Sequence, residues 1–131
     1  MEEAMLIEIL KEVQKKNQYI LEIERITREI GEALSRNDRT SVQILLGMRQ
    51  EEMDNADVSE RNIQRLTSVL QQEDAVKLLG WIKGEEKIKP KTPLEEKLVE
   101  ICKNMQTAIK RTIDLDRHIS LRLAGKDSYY Q

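Results

Sequence analysis

The feature that most constrains this chain is the long spacing between residues that break helices. Among its 131 residues there are five glycines and two prolines. Both prolines and three of the glycines lie between Gly80 and Pro93 or at Gly125. In the long stretches between them, apolar residues recur every three or four positions, which is the period of an amphipathic helix. The pattern therefore predicts an all-α protein.

The first predicted helix spans residues 2–36 and carries an apolar stripe along most of its length. The stripe consists of Leu6, Ile9, Val13, Ile20, Ile23, Thr27, Ile30 and Leu34. Lys16 interrupts it, and Leu10, Ile26 and Ala33 widen it, as expected for a helix that faces a bundle core. Gly31 is expected to be tolerated or to mark close packing against a neighbouring helix.

The second predicted helix spans residues 39–72, with Asp38 as its N-cap. Its stripe is strong at both ends and weak in the middle. The strong N-terminal part comprises Val42, Leu45 and Leu46, and the inward positions of the middle are Arg49, Met53, Ala56 and Ser59. A helix with such a gap is expected to pack against small residues there or to make a polar contact. A short third helix is predicted over residues 74–83.

The start of the last helix is the clearest local signal in the chain. Thr92 is a suitable N-cap, Pro93 takes the first helical position, and Glu95 follows three residues after the cap. This helix is predicted to span residues 93–124, with Gly125 as its C-cap and a loose tail behind it. Short breaks between long helices force the chain to reverse. We therefore predict a single domain, an antiparallel bundle of three long helices plus one short helix.

Composition excludes several functional classes. The net charge of −2 argues against a nucleic-acid binder, which would need a basic face. No apolar run approaches the roughly 20 residues that span a membrane. The single cysteine cannot form an internal disulfide and suits a reducing compartment. These observations predict a soluble cytoplasmic protein.

The residues that could carry chemistry are few. His118 is the only histidine, and Asp114 and Asp116 near it are ordinary neighbours on a helix face. Cys102 lies about 24 Å from His118 along the same helix, too far for a nucleophile and its base. We predict no catalytic, cofactor-binding or metal-binding residue, and hence no enzyme.

An apolar cluster around Trp81 is the best candidate for a partner-binding surface. Its members are Leu66, Val69, Leu70, Val76, Leu79, Trp81 and Ile82. Trp81, the only tryptophan, has two interpretations: it caps one end of the bundle, or it anchors a partner from a short helix. The cluster is denser than capping requires, so we expect a partner helix to bind at this end and to alter Trp81 fluorescence.

Several segments are similar to a known family. They are Ala33-Leu34, Asn37-Asp38, Leu45-Leu46, Arg49 and the stretch from Ile113 to Ile119. In this order they resemble the flagellar export chaperones of the FliT and FlgN type. The resemblance covers most of the chain, and it departs from the family in the loop before the last helix and in the middle of the second helix.

The resemblance implies a cytosolic chaperone of flagellar type III export. Such a protein binds the helical terminus of a filament-cap or hook-associated subunit, and the last helix, Leu94 to Ile119, would act as a displaceable lid. The implied partners are proteins, namely that subunit and the export apparatus, and a homodimer is compatible with it. The alternative from the residues is a structural coiled-coil scaffold that forms a permanent oligomer.

Overall fold

The computed structural model describes the backbone of residues 1–85 and 87–130 and the side chains of residues 1–85 and 87–122. This part of the chain forms four helices: α1 (Glu3–Ser35), α2 (Arg39–Ser68), α3 (Gln72–Ile82) and α4 (Pro93–Tyr130). Three of them are long and one is short. The prediction of an all-α bundle is confirmed.

A tight turn reverses the chain between α1 and α2. Asn37 adopts the left-handed conformation, with φ of 57°, which asparagine tolerates better than most residues. The N–H groups of Asn37 and Asp38 donate to the carbonyls of Leu34 and Ala33 at 3.1 and 2.9 Å, a Schellman motif. The Asp38 carboxylate also accepts a hydrogen bond from the N–H of Ser41 at 3.1 Å. The predicted N-cap of α2 is confirmed.

The break between α2 and α3 lies earlier than the sequence pattern suggested. Helix α2 ends at Ser68 instead of residue 72, and α3 begins at Gln72 instead of residue 74. Glu73 and Asp74 occupy the first turn of α3. Negative charge is favourable there because it faces the positive end of the helix dipole.

The start of α4 follows the prediction, whereas its end does not. The N–H of Glu95 donates to Oγ1 of Thr92 at 3.2 Å, and the Glu95 carboxylate accepts from the N–H of Lys91 at 2.9 Å. At the other end, α4 continues through Gly125 to Tyr130. A single glycine inside a helix costs only about 1 kcal/mol relative to alanine, so Gly125 does not act as the predicted stop.

Helix α1 is central because it packs against both α2 and α4. Lys16 pairs with Glu60 of α2 and Glu24 pairs with Arg111 of α4, while Ser35 contacts Arg122. Helices α1 and α2 therefore run antiparallel, and α1 and α4 run parallel. Among the described residues, the backbones of α2 and α4 do not approach each other.

The bundle has two dissimilar halves. The base half comprises residues 3–20 of α1, 59–68 of α2, α3, and 93–109 of α4. The distal half comprises residues 21–35, 39–58 and 110–122. The core cluster lies entirely in the base half and consists of Leu6, Ile9, Leu10, Val13, Ile63, Leu78, Trp81, Ile82, Leu98, Val99, Ile101, Cys102 and Met105.

In the distal half, α2 contributes little to a core. None of the side chains of residues 39–55 is buried. Val42 and Leu45 are half-buried and Leu46 is exposed, so the stripe predicted for this end of α2 is only partly covered. Helices α1 and α4 pack closely instead: a Cβ atom on Gly31 would lie 3.2 Å from Cδ1 of Ile119. This close approach confirms one of the two expectations for Gly31.

Candidate partner-binding groove

The weak middle of α2 contains both features that its sequence suggested. Ala56 and Ser59 are buried and bring small side chains against the bundle. The guanidinium of Arg49 donates to Oγ1 of Thr27 at 3.3 Å and to Oδ1 of Asp116 at 2.8 Å. Small residues let α2 approach α1 here, while the arginine supplies a polar contact that reaches α4.

A groove of about 450 Å³ lies between α2 and α4 beside this region. Its floor is α1, and α2 and α4 form the two walls. It is lined by Lys16, Ile20, Ile23, Gln50, Met53, Ala56, Asp57, Glu60, Ile109, Thr112 and Ile113. This volume falls within the range of clefts that bind ligands in proteins, about 300–1,000 Å³. The floor is apolar apart from Lys16 and the α4 wall is uncharged, whereas α2 contributes both polar and apolar side chains.

The groove begins where α3 ends. The amide of Gln106 on α4 donates to the carbonyl of Ile82, the last residue of α3, at 3.0 Å. One turn farther along α4, Ile109 lines the groove and packs against the base-half core, as does Ile20 of α1. The groove is therefore continuous with the core at this end, and α3 stops short of filling it.

An ion pair spans the other end of the groove. Arg49 lies one turn before Met53 on α2, and Asp116 lies one turn after Thr112 on α4. Their contact at 2.8 Å is the one hydrogen-bonded link from α2 to α4 found in the described part of the chain. We call it the Arg49–Asp116 clasp.

The charges that line the groove belong to α1 and α2. Nζ of Lys16 lies 2.7 Å from Oε2 of Glu60, which neutralises this pair. Asp57 forms no hydrogen bond or ion pair with any residue that the structure describes. The groove wall formed by α2 therefore carries one uncompensated negative charge.

The seven residues that the sequence singled out fall into three groups. Trp81 and Ile82 belong to the core, and Leu66 and Leu70 are partly buried against it. The remaining three side chains are exposed, with 68% of Val69, 59% of Val76 and 42% of Leu79 accessible. Trp81 and Ile82 are therefore covered in this conformation, and Val69, Val76 and Leu79 are the most exposed members of the set.

Trp81 has a structural role in this conformation. Only 2% of it is exposed, and its indole Nε1 donates to the carbonyl of Ile88 at 2.7 Å. The turn that follows α3 is made by Gly84, with φ of 81°, a conformation that glycine adopts without strain. Trp81 thus fastens the loop before α4 onto the base half, as its capping interpretation requires.

The residues considered for chemistry are dispersed. Cys102 is fully buried, and burial raises the pKa of its thiol to about 12 despite the nearby Lys16. His118 is exposed, while its neighbour Asp116 binds Arg49. Among the described residues, no three His, Cys, Asp or Glu side chains come together as a metal site would require. In that same part of the chain, no helix has the length and apolar character needed to cross a membrane.

Comparison of the chain with protein-family models, with characterised proteins and with solved structures finds no match in any of the three.

Proposed function

We propose that this protein is a cytosolic chaperone of flagellar type III export, which binds the helical terminus of a filament-cap or hook-associated subunit. The observation that carries the proposal is the groove between α2 and α4. Its apolar floor and α4 wall match the apolar face of an amphipathic helix. The resemblance of the chain to the FliT and FlgN type supplies the flagellar context.

The groove can receive a helix because α2 and α4 stand apart over the distal half. No Cα atom of α2 lies within 8 Å of one of α4 among the described residues, and the groove between them is open to solvent along its apolar lining. A partner helix would cover Met53 and Ile113, of which 37% and 51% are exposed in the free chain. Burial of such apolar surface favours association by roughly 25 cal/mol per Å² before the costs of ordering are subtracted.

A displaceable lid is better supported for the distal part of α4 than for the whole helix. Leu98, Cys102 and Met105 of α4 are fully buried in the base half, so removal of that segment would open the core. Beyond Ile109, α4 is held mainly by α1 and by the Arg49–Asp116 clasp. Movement of this distal segment alone would widen the groove without unfolding the base half.

The test compares two exposed positions on two surfaces. Ile113→Glu places a charge on the groove wall, and Val76→Glu places the same charge on the surface of α3 that the sequence suggested. Both side chains are more than half exposed, so neither change should unfold the protein. Calorimetric titration with the C-terminal segment of a filament-cap or hook-associated subunit should show at least tenfold weaker binding for Ile113→Glu and parent affinity for Val76→Glu.

The opposite pattern, together with a change in Trp81 fluorescence on binding, would place the site at α3. Absence of binding by the parent protein to any such segment would reject the chaperone function.

A permanent scaffold remains the second candidate because α2 exposes apolar residues on a face away from the groove. Ile44, Met48 and Val58 share that face at helical spacing and are all exposed. Glu51 and Asn55 interrupt the face, which disfavours a continuous coiled-coil seam. Sedimentation that shows an oligomer at every concentration would favour the scaffold, and a monomer or a concentration-dependent dimer would favour the chaperone.

A further inference from the structure

We propose that the groove selects a short amphipathic helix that carries lysine or arginine on the flank facing α2. This inference rests on the proposed function, since it specifies the partner of the same groove. It depends on three observations: the two closed ends of the groove, the apolar α4 wall, and the uncompensated charge of Asp57.

The two ends of the groove limit the length of helix that it can hold. At one end, α3 terminates against Gln106. At the other end, the Arg49–Asp116 clasp crosses from α2 to α4. The α2 wall between Arg49 and Glu60 is about 16 Å long at 1.5 Å per residue. The contact therefore accommodates about three turns of helix. This space begins where α3 ends.

The walls of the groove differ in chemistry. On α4 the lining residues are Ile109, Thr112 and Ile113, none of which is charged. On α2 the lining includes Asp57 and Glu60, and only Glu60 has a cation beside it. A bound helix would meet hydrocarbon on one side and negative potential on the other.

A basic flank is the complement of this arrangement. A lysine or arginine beside Asp57 would pair with a carboxylate that has no partner among the described residues, and its aliphatic stem would extend along the apolar floor. An acidic residue at the same place would be repelled. Charge complementarity of this kind sets specificity and orientation more than total affinity.

Two synthetic peptides of about 14 residues test the inference. The two peptides carry the same leucine face. In the first peptide lysine occupies both flanks of that face, and in the second glutamate occupies both flanks. Because the two flanks are identical within each peptide, the result does not depend on the direction of binding. We expect the lysine peptide to bind the full chain at least fivefold more tightly than the glutamate peptide, measured by fluorescence anisotropy at fixed ionic strength.

Charge-reversal variants of α2 test whether the peptide contacts Asp57 specifically or is attracted only by the net charge of the protein. Asp57→Lys should abolish or invert the preference between the peptides. The matched control is Glu51→Lys, which makes the same change in net charge at an exposed residue outside the groove lining. This control should alter either affinity by less than about twofold. Circular dichroism should show parent helicity for both variants, because both positions are exposed.

The possible results separate failure of the basic-flank inference from failure of the proposed chaperone function. Equal binding of the two peptides, or an effect of Glu51→Lys as large as that of Asp57→Lys, would overturn the inference and leave the proposed function standing. Failure of both peptides and of the subunit segment to bind would overturn both.

Discussion

The two halves of this bundle differ in how completely they bury their apolar side chains. In the base half, α3 adds a fourth helix, and Leu78, Trp81 and Leu98 have 2% or less of their surface exposed. In the distal half three helices remain. They bury Ile26, Ile30 and Ile119, and two ion pairs also link them: Glu24 with Arg111 at 2.7 Å, and the Arg49–Asp116 clasp at 2.8 Å.

The difference between the halves explains how a small bundle can be stable and still have an open groove. Stabilisation by apolar burial is roughly proportional to the area buried and is not screened by salt, whereas ion pairs with one partner open to solvent contribute about 1 kcal/mol or less and are partly screened. The base half therefore supplies most of the stability of the fold. The distal half is free to expose the apolar side chains that line the groove.

The largest expected effect comes from a charge placed in the base-half core. Leu98 is fully buried, so Leu98→Asp should lower the free energy of unfolding by about 3–5 kcal/mol, since a carboxylate would lack a partner there. The matched change in the distal half is Ile113→Asp, which should cost less than about 0.5 kcal/mol because that side chain is half exposed. Urea unfolding followed by circular dichroism measures both, and equal losses would contradict the division into halves.

Trp81→Phe should produce the next largest effect. It removes the hydrogen bond to the carbonyl of Ile88 and leaves a small void in the core, which should cost about 1–3 kcal/mol. Leu79→Ala, on an exposed position of the same helix, is the control and should be nearly neutral. Thermal unfolding measures both variants. If Trp81→Phe leaves the melting temperature unchanged, then the hydrogen bond from Trp81 to Ile88 does not hold the loop before α4.

Glu24 tests the contribution of charge to the distal half. The hydrogen bond from Arg111 lowers the pKa of the Glu24 carboxyl below the usual 4.5, although burial opposes this shift. A lowered folded-state pKa means that the stabilisation is present above pH 4.5 and is lost as the pH falls through the lowered value. At pH 7, Glu24→Gln should therefore destabilise the protein by about 1 kcal/mol or less, since more than half of the Arg111 side chain is exposed.

Unfolding curves at decreasing pH would check this prediction. The parent and Glu24→Gln should converge in acid, and 1 M salt should reduce the difference at pH 7. A difference that stays constant with pH would show that the loss comes from packing instead of charge.

The smallest effect on stability is expected at the clasp. Arg49→Gln should cost about 0.5 kcal/mol or less, because Asp116 can be solvated once its partner is gone. Hydrogen exchange of the α2 amides over residues 39–55 should nevertheless accelerate, while amides of residues 6–13 in α1 keep their protection. Acceleration in both segments would show that the halves unfold together.

The helices of this chain could be predicted because their signals are local. Asp38 and Thr92 cap their own helices through contacts three residues away, and the stripe of α1 repeats within each turn. The end of α2 could not be predicted, since Val69 and Leu70 continue its apolar stripe beyond Ser68, where the helix ends. The prediction that α4 ends at residue 124 was wrong because Gly125 is compatible with a helix end but does not enforce one.

The candidate site was only partly predictable. The weak middle of α2 correctly indicated small residues and a polar contact at Ala56, Ser59 and Arg49. It could not indicate a groove, because the gap depends on how far α2 stands from α4, and 67 positions separate Arg49 from Asp116. The choice between the two interpretations of Trp81 also needed the structure, because a sequence shows that a side chain is apolar without showing what covers it.

The sequence by itself determined that this protein is helical, where most helices begin, and which face of α1 is buried, because periodicity and capping act over one or two turns. Only the tertiary structure decided that α3 fills one half of the space between α2 and α4 and leaves the other half open. That outcome arises from packing between segments far apart in the chain, where the eleven residues of α3 are too few to cover helices three times as long.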